Sequence, residues 1–243
     1  MLPIWSLLTT CASAPATHLD WAELLVDTVD PADNTYNSDP VTVTWEGYDG
    51  ATRSSNRSKC SSFVSKVMVQ SYDADLVSWT GCDNPSAHTW YNTIDDEVGF
   101  TKITAISDVA AGDILAIEYN DAGCTAFTCA GFSTCTSSGH TAFVASAPVA
   151  RTATSPTVSG TTQYEVVVVD VSQSYHGTDD TRYKAEADGT TDQGVGEGVM
   201  RLYADSTGAI VGYTWSVAKN STYYPQATRS LVIGRYDHSY DGG

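Results

Sequence analysis

The chain has few basic residues and no long hydrophobic run. Its 243 residues include 12 Lys plus Arg against 29 Asp plus Glu, which gives a formal charge of −17. Nucleic acids and anionic membranes repel such a charge, and because no Lys/Arg-rich segment offsets it, we expect neither as a partner. Its apolar runs fall far short of the roughly 20 residues that cross a bilayer, so the sequence predicts no transmembrane segment.

Charged residues are also scarce beside apolar ones, at 17% against 42% of the chain. This balance excludes a disordered acidic tail and favours a globular protein with a sizeable core. We expect one domain over residues 17–243, acting as a monomer. Polar insertions are expected near residues 120–138 and 174–198, and the second of these either borders the functional site or is an ordinary surface excursion.

Residues 1–16 have the features of an export leader. An apolar segment is followed by Ala12-Ser13-Ala14, which is typical of a secretion-signal cleavage site, although no basic residue precedes it. Leu8-Thr9-Thr10-Cys11 alternatively resembles a lipoprotein box, in which Cys11 would be lipidated. Both alternatives predict a protein that is secreted or held in the cell envelope.

The cysteines support export. Cys82, Cys124, Cys129 and Cys135 are predicted to form two disulfides, as is usual in oxidising compartments. A zinc site made of the last three with His140 is the alternative, but its spacing lacks the usual Cys-x-x-Cys pair. Calcium in the Asp-rich loops is a further alternative without EF-hand spacing. We therefore expect no metal and no cofactor.

Helical patterns come first along the chain and strand patterns follow. Thr17 is the predicted N-cap of a helix over residues 18–29, and a second helix begins at Cys60, where apolar residues recur at helical spacing. A weaker helix is predicted over residues 86–96. From residue 103 onward, runs of branched and aromatic residues alternate with turn residues. This order predicts an α+β fold with N-terminal helices packed on an antiparallel β-sheet.

Cys60 has surroundings that favour a reactive thiol. It opens a helix, where free N–H groups and the helix dipole stabilise an anion, and Arg57 and Lys59 add positive charge. Such positions lower the pKa of a thiol from about 8.5. Cys60 is therefore a candidate nucleophile; the alternative is a core or disulfide-bonded cysteine.

A nucleophilic cysteine needs a base and a residue that orients the base. Of the five histidines, only His140 begins a clear strand. A hairpin centred near residue 155 places His140 opposite Asp170, which shares a strand face with Val166 and Val168. The sequence thus suggests that Asp170 pairs with His140; the alternative is that it marks the exposed end of its strand.

Three segments resemble the NlpC/P60 and CHAP-type cysteine peptidases and amidases. Residues 58–64 (SKCSSFV) resemble their Asp-Cys-Ser-Gly-Phe-Val motif, with Lys59 in place of Asp and Ser62 in place of Gly. Residues 111–115 (AGDIL) resemble their Pro-Gly-Asp-Leu strand, and residues 139–144 (GHTAFV) resemble their Gly-His-Val-x-Ile strand. The resemblance implies a papain-like NlpC/P60-type fold in a secreted bacterial hydrolase that cleaves an amide bond in a peptide or peptidoglycan-like substrate.

The same resemblance implies the roles of the site residues. Cys60 would attack the carbonyl, His140 would carry the proton and Asp170 would hold the imidazole. The oxyanion would lie near the start of the helix, at the Cys60 N–H and Ser61. Tyr48, in the aromatic-glycine segment before the nucleophile, would be an oxyanion or pocket residue.

Other assignments remain open at this point. His176 and Arg182 follow the strand of Asp170 and are candidates for binding charged substrate ends. The fold could also lack turnover and act as a cell-wall or interaction module. Its aromatic contacts would then be Trp90, Tyr91, Tyr175, Tyr213 and Trp215. A transglutaminase-like acyltransferase is a third alternative, because Cys, His and Asp occur in that order there too.

Overall fold

The computed structural model describes residues 15–37, 39–120, 139–183 and 193–240, and the backbone of residues 127–128 and 131–132. Nearly all of the predicted leader lies outside these ranges, as do Cys124, Cys129 and Cys135. Within the described ranges, no helix has both the length and the apolar character needed to cross a membrane.

The helices lie mainly in the first half of the chain. The α-helices are α1 His18–Thr28, α2 Cys60–Tyr72, α3 Leu76–Thr80 and α4 Ala87–Asp95, and short 3₁₀ turns span Pro31–Asp33 and Ile106–Asp108. Thr17 caps α1 as predicted, because its hydroxyl accepts from the Asp20 N–H at 3.2 Å while the Asp20 carboxylate accepts from the Thr17 N–H at 2.8 Å. Helix α3 was not predicted; its five residues are too few to show a helical period.

The strands form two larger sheets and one small hairpin. They are β1 Asn34–Tyr36, β2 Thr42–Thr44, β3 Ser55–Ser58, β4 Phe100–Ile103, β5 Ile114–Tyr119, β6 Phe127–Thr128, β7 Gly131–Phe132, β8 Gly139–Val144, β9 Val149–Arg151, β10 Thr162–Ser172, β11 Gly194–Ala204, β12 Ile210–Thr214, β13 Tyr223–Pro225 and β14 Arg229–Tyr236. The large sheet has the order β13-β12-β11-β10-β8-β5-β14-β4, with β9 beside β10. All of its pairings are antiparallel. Strand β3 pairs with β1 in parallel and with β2 in antiparallel orientation.

Strand β11 is longer than its sequence pattern predicts. The glycine-rich residues 194–198 belong to this strand and pair with β10, whereas the predicted insertion placed them in a loop. The hairpin turn from Asp205 to Gly208 is confirmed, since the Asp205 N–H donates to the Ala209 carbonyl at 3.0 Å. The predicted second insertion therefore ends earlier than expected, at the start of β11.

Helices cover one face of the large sheet, and the sheet curls around a second core on its other face. The helix-facing core includes Leu25, Phe63, Val67, Trp90 and Phe143. The inner core of the curl includes Leu115, Val166, Leu202, Tyr213 and Leu231. Strands β12 and β13 approach β14 across this second core. The predicted α+β class, with helices packed on an antiparallel sheet, is confirmed.

Candidate active site

Cys60 is the first residue of α2 and is a free, buried thiol. Lys59 precedes it in an extended conformation, and the Ser62 hydroxyl accepts from the Lys59 N–H at 2.9 Å. Ser62 stands where the resembling motif has glycine, and in this chain it completes the helix start. The helix therefore presents its N-terminal end, with its partial positive charge, at the Cys60 sulfur.

The Cys60 thiol contacts the beginning of β8. It shares a hydrogen bond with the His140 side chain and accepts from the Thr141 N–H. Burial raises the pKa of the Cys60 thiol, but the charge of His140 and these two hydrogen bonds outweigh burial and lower the pKa below its usual value. Burial lowers the pKa of the His140 imidazole. The Cys60 thiolate and Asp170 outweigh burial and raise that pKa to about 9. These shifts favour a thiolate–imidazolium pair at neutral pH.

His140 is held from its other side by Asp170. Its Nε2 lies 2.6 Å from Asp170 Oδ2, so the ring meets Cys60 through Nδ1. The backbone register pairs Asp170 with Ala142 rather than with His140, two residues from the predicted register. Gly139 has φ of +154°, and a Cβ there would lie 1.7 Å from the Ile117 carbonyl oxygen, so only glycine fits before His140.

Asp170 is fully buried and is surrounded by three potentially cationic side chains. Arg182 Nη2 lies 2.8 Å from Oδ1, and His176 Nε2 lies 3.0 Å from Oδ2, the oxygen that also faces His140. Burial raises the pKa of Asp170, but Arg182 first, and the two histidines with it, hold that pKa well below its usual range. Asp170 is therefore an anion at neutral pH and does not mark an exposed strand end.

His176 is fixed by acceptors at both ring nitrogens. Nδ1 donates to the Trp215 carbonyl at 2.7 Å, and Nε2 faces the Asp170 carboxylate. The Trp215 ring stacks on His176 at 4.2 Å between centroids and meets His140 edge-on at 4.8 Å. Trp215 thus covers both histidines.

Arg182 is fixed by Asp180 in a side-on, two-hydrogen-bond pair. Nε donates to Oδ1 at 2.9 Å and Nη2 donates to Oδ2 at 2.8 Å. The segment lies flat on β11, because a Cβ at Gly196 would meet Arg182 atoms at 2.7 Å and a Cβ at Gly198 would meet Asp180 Oδ2 at 2.4 Å. The glycine-rich run therefore makes room for this buried pair.

Two predicted roles differ from what the structure shows. Arg182 and His176 are 2% and 1% exposed, and both side chains contact Asp170 rather than open solvent. Their geometry supports positioning of the carboxylate and does not support binding of charged substrate ends. The charged residues that follow β10 indicated that this segment contributes to the site. The sequence did not indicate that their side chains are buried, because that burial depends on the packing of β11 beneath them.

The group of His140, Asp170 and His176 has the donor atoms of a metal site, and these atoms lie within 4.8 Å of one another. The surroundings do not fit a cation, because the Arg182 guanidinium is already ion-paired with Asp170. The 2.6 Å separation between His140 and Asp170 is that of a charge-assisted hydrogen bond. The cysteines of the alternative zinc site lie outside the described residues.

A cavity of about 250 Å³ opens beside His140. Its described lining is largely aromatic and polar and consists of Tyr36, Tyr119, Gly139, His140, Ser172, Gln173, Ser174, Trp215, Tyr224 and Arg229. Strand β14 is two strands from β8 in the sheet, and the curl brings the ends of β12 and β13 toward β14, so all three contribute to this lining beside the start of β8.

Tyr48, the predicted pocket tyrosine, is not among the tyrosines of the described cavity lining. Tyr48 packs against Trp21, with ring centroids 4.6 Å apart, and is absent from the described cavity lining. Tyr36 lines the cavity instead; it pairs with Ser58, two residues before Cys60, and burial and then the Cys60 charge raise the pKa of its hydroxyl. Sequence reasoning missed Tyr36 because it lies in a three-residue strand within a polar segment.

The remaining predicted residues have separate positions. Ser61 lies in the first turn of α2, and its carbonyl accepts from the Ser65 hydroxyl at 2.9 Å. Trp90 and Tyr213 are core residues, 0% and 1% exposed, so they cannot serve as surface contacts of a binding module. Cys82 is disulfide-bonded, in agreement with the predicted disulfides; the other three cysteines of that prediction lie outside the described residues.

The chain is similar to a viral protein along most of its length. The chain is 28% identical over 226 residues to an uncharacterized protein of Acanthamoeba polyphaga mimivirus, a match that covers 91% of this chain and 96% of the relative. The similarity thus spans nearly both whole chains rather than a single motif. No protein-family profile matches the chain, and no solved structure matches it.

Proposed function

We propose that the protein is an exported cysteine hydrolase that cleaves an amide bond in a peptide or peptidoglycan-like substrate. The observation that carries the proposal is the buried chain of alternating charges from Cys60 through His140 to Asp170. Cys60 lies at a helix N-terminus and has the lowered thiol pKa of a nucleophile. The disulfide at Cys82 supports export, because such bonds persist in oxidising compartments.

Ionised groups in the described site have partners of opposite charge. The Cys60 thiolate lies beside the His140 imidazolium, and Arg182 lies between the Asp170 and Asp180 carboxylates. Buried ions are costly unless each has a partner. A protein that only binds a partner gains nothing from stabilising a thiolate in this way, so the arrangement favours turnover over a binding module.

The proposed reaction proceeds in two steps. In the first, the Cys60 thiolate attacks the amide carbon and forms a C–S bond, while His140 Nδ1 gives its proton to the departing amine as the C–N bond breaks. In the second, His140 takes a proton from water, the resulting hydroxide oxygen bonds to the thioester carbon, and the C–S bond breaks to return the thiolate. The products are a carboxylic acid and an amine.

The surrounding groups have supporting roles in this proposal. The backbone N–H of Cys60 is available at the first helical turn to donate to the oxyanion, where the helix dipole favours negative charge. Asp170 keeps the imidazole ring in place and balances its charge. Trp215 covers the His140 and His176 rings, which lowers water access to their bonds with Asp170.

The papain-like architecture of NlpC/P60 and CHAP-type enzymes remains our proposal for the fold family. It is supported by the order along the chain of a cysteine at a helix start, a histidine at a strand start and a carboxylate on the strand that pairs with that histidine's strand. It is also supported by the packing of α2 against β8 and β10, which brings the three residues together.

An acylation assay tests the proposal without a known substrate. The protein is mixed with p-nitrophenyl acetate, and we expect a burst of p-nitrophenol with an acetyl group on Cys60, located by peptide mass mapping. Cys60→Ser and His140→Ala should abolish the burst. An acetylated enzyme that transfers to added amines but not to water would instead support the acyltransferase alternative. No acetylation of Cys60 in folded protein would overturn the hydrolase proposal.

A further inference from the structure

The nucleophile and its base come from different sheets. Cys60 follows β3 of the small sheet, whose order is β1-β3-β2, whereas His140 and Asp170 lie on β8 and β10 of the large sheet. The apolar face of α2 packs against β8 and β10, but apolar contacts have no preferred direction. A fixed separation between the Cys60 sulfur and the His140 ring therefore also needs directional contacts between the two sheets.

The side chain of Asn34 on β1 makes such a contact with β11. Its Oδ1 accepts from the Val195 N–H at 2.7 Å, and its Nδ2 donates to the Val195 carbonyl at 2.8 Å. The amide thus pairs with the edge of β11 as a neighbouring strand would. Val195 pairs with Val171 on β10, the residue after Asp170. Asn34 is therefore tied to the strand pair that holds Asp170.

A chain of hydrogen bonds continues from Asn34 toward Cys60. Asn56 Nδ2 donates to Asn34 Oδ1 at 2.8 Å, and the Ser58 hydroxyl donates to Asn56 Oδ1 at 2.5 Å. Asn56 and Ser58 are fully buried, and a buried polar group that loses its partner is costly. A satisfied buried network of this kind specifies one arrangement. It fixes the end of β3, two residues before the nucleophile.

The start of β11 leaves room for the Asn34 side chain because it lacks a side chain of its own. Gly194 has φ of +116°, and a Cβ there would lie 2.0 Å from Asn34 Oδ1. Any larger residue would push the amide away from Val195. The first glycine of this strand thus admits the Asn34 contact, as its later glycines admit Asp180 and Arg182.

We propose that Asn34 and Asn56 are positioning residues that hold the Cys60 sulfur against the His140 imidazole. They act through β3, because their hydrogen bonds lead to Ser58. The assignment rests on the reactive pair of the proposed function and is independent of the substrate.

The pH profile of Cys60 alkylation tests this role. Iodoacetamide reacts with the thiolate, so the midpoint of its rate against pH reports the pKa of the Cys60 thiol. Asn34→Leu approximately keeps the size of the side chain and removes the amide. We expect the midpoint to rise by about one pH unit, because the thiolate loses part of the His140 interaction that lowers its pKa.

Gln163→Leu is the matched control. Gln163 is also a buried amide that pairs with the backbone of one residue: Oε1 accepts from the Thr154 N–H at 3.0 Å, and Nε2 donates to the Thr154 carbonyl at 2.7 Å. It lies near the start of β10, at the end away from Asp170. Gln163→Leu should lower stability in urea as Asn34→Leu does, without moving the midpoint. Rates are compared at equal folded fraction, measured by circular dichroism.

Ser58→Ala is a milder second variant. It removes one hydroxyl from the network and keeps both amides, so the midpoint should rise less than in Asn34→Leu. If Asn34→Leu does not fold, Ser58→Ala decides the question, and an unchanged midpoint there overturns the positioning role.

The outcomes separate this role from the hydrolase proposal. A folded Asn34→Leu variant with the unmodified midpoint, or an equal rise in Gln163→Leu, overturns the positioning role and leaves the nucleophile intact. A lowered midpoint in the unmodified protein without acetylation by p-nitrophenyl acetate removes the hydrolase proposal, and the variants still decide the positioning role. If the unmodified protein has the midpoint of a free thiol, at about pH 8.5, no reactive pair is present and both proposals fail.

Discussion

His140 Nε2 lies 2.6 Å from Asp170 Oδ2 although the strand register pairs Asp170 with Ala142. The imidazole therefore reaches diagonally along the neighbouring strand to its partner. Diagonal neighbours on adjacent strands are within reach of long and aromatic side chains. Because Nε2 makes this diagonal contact with Asp170, the other ring nitrogen, Nδ1, is directed at Cys60 on α2.

Asp170→Asn should lower both turnover and stability. An amide cannot balance the His140 imidazolium and can favour the wrong tautomer, so we expect kcat to fall roughly 10²- to 10⁴-fold. The change also removes the buried anion that Arg182 and His176 contact, and we expect the free energy of unfolding to fall by about 3–5 kcal/mol. Turnover of the acetyl ester is measured at matched folded fraction. Asp49→Asn, on an exposed turn, is the control for the same chemical change; full activity in Asp170→Asn would remove Asp170 from the site.

Arg182→Met should reduce stability and kcat while leaving KM nearly unchanged. The change leaves two buried carboxylates, Asp170 and Asp180, without their shared cation, and we expect a loss of about 3–5 kcal/mol in the free energy of unfolding. Adding Asp180→Leu removes one of those carboxylates and should recover part of the stability, because the two residues are directly coupled. Urea unfolding of the single and double variants measures this coupling. An effect confined to KM would instead support the original assignment to substrate binding.

His176→Gln tests whether the second histidine acts through Asp170. A glutamine amide can still donate a hydrogen bond but brings no charge, so the pKa of Asp170 should rise. We expect the loss of stability on the acid side to begin at higher pH, with a smaller loss of kcat than in Asp170→Asn. A pH profile identical to that of the unmodified protein would assign His176 a packing role only.

Alkylation and turnover should depend on pH in different ways. The thiol pKa is lowered in the folded protein, so alkylation by iodoacetamide should persist at neutral pH and fall only as pH drops through that lowered value. Turnover also needs the His140 proton, whose pKa is raised to about 9, so turnover should fall again as pH rises through that value. The rate of alkylation, measured by stopped flow, and the rate of turnover are each recorded across pH, which tests the acid-side and the alkaline-side decrease. Loss of both activities at the same alkaline pH would contradict the ion pair.

The same pKa shifts set the sign of the stability changes with pH. Asp170 has a lowered pKa, so its contribution is present above about pH 4 and is lost as pH falls toward its folded-state value. His140 has a raised pKa, so its contribution is present below about pH 6.5 and is lost as pH rises through about 9. Unfolding free energies from urea titrations across pH 3 to 10 measure both slopes. Asp170→Asn should flatten the acid slope, and an unaltered acid slope would contradict this assignment.

Cys82→Ser should destabilise the protein without changing the reactivity of Cys60. Loss of a crosslink typically costs about 2–4 kcal/mol, and Cys60 is a free thiol separate from it. Intact mass before and after reduction should differ by four hydrogens for two disulfides in the unmodified protein. Native alkylation should label Cys60 alone; labelling of Cys82 in folded, unreduced protein would contradict the predicted pairing.

Local sequence patterns were sufficient to predict the main parts of the fold and the positions of Cys60 and His140. The capping residues and apolar spacing identified α1 and α2, and hence the position of Cys60 at a helix start. The runs of branched residues identified β8 and β10, and hence His140 and Asp170 at strand positions. These features depend on contacts within one turn or one strand, and such contacts are encoded by adjacent residues.

Tertiary packing alone decided the remaining site. Whether Arg182 faces solvent or Asp170 depends on the room left by Gly196 and Gly198, two residues of a strand that pairs across β10. Tyr36 reaches the cavity because β1 pairs with β3, and Arg229 reaches it because β14 pairs with β5, which in turn pairs with β8. Sequence periodicity reports which face of an element is buried, but the partner of a buried charge is set by the register and curvature of whole strands, which no local pattern contains.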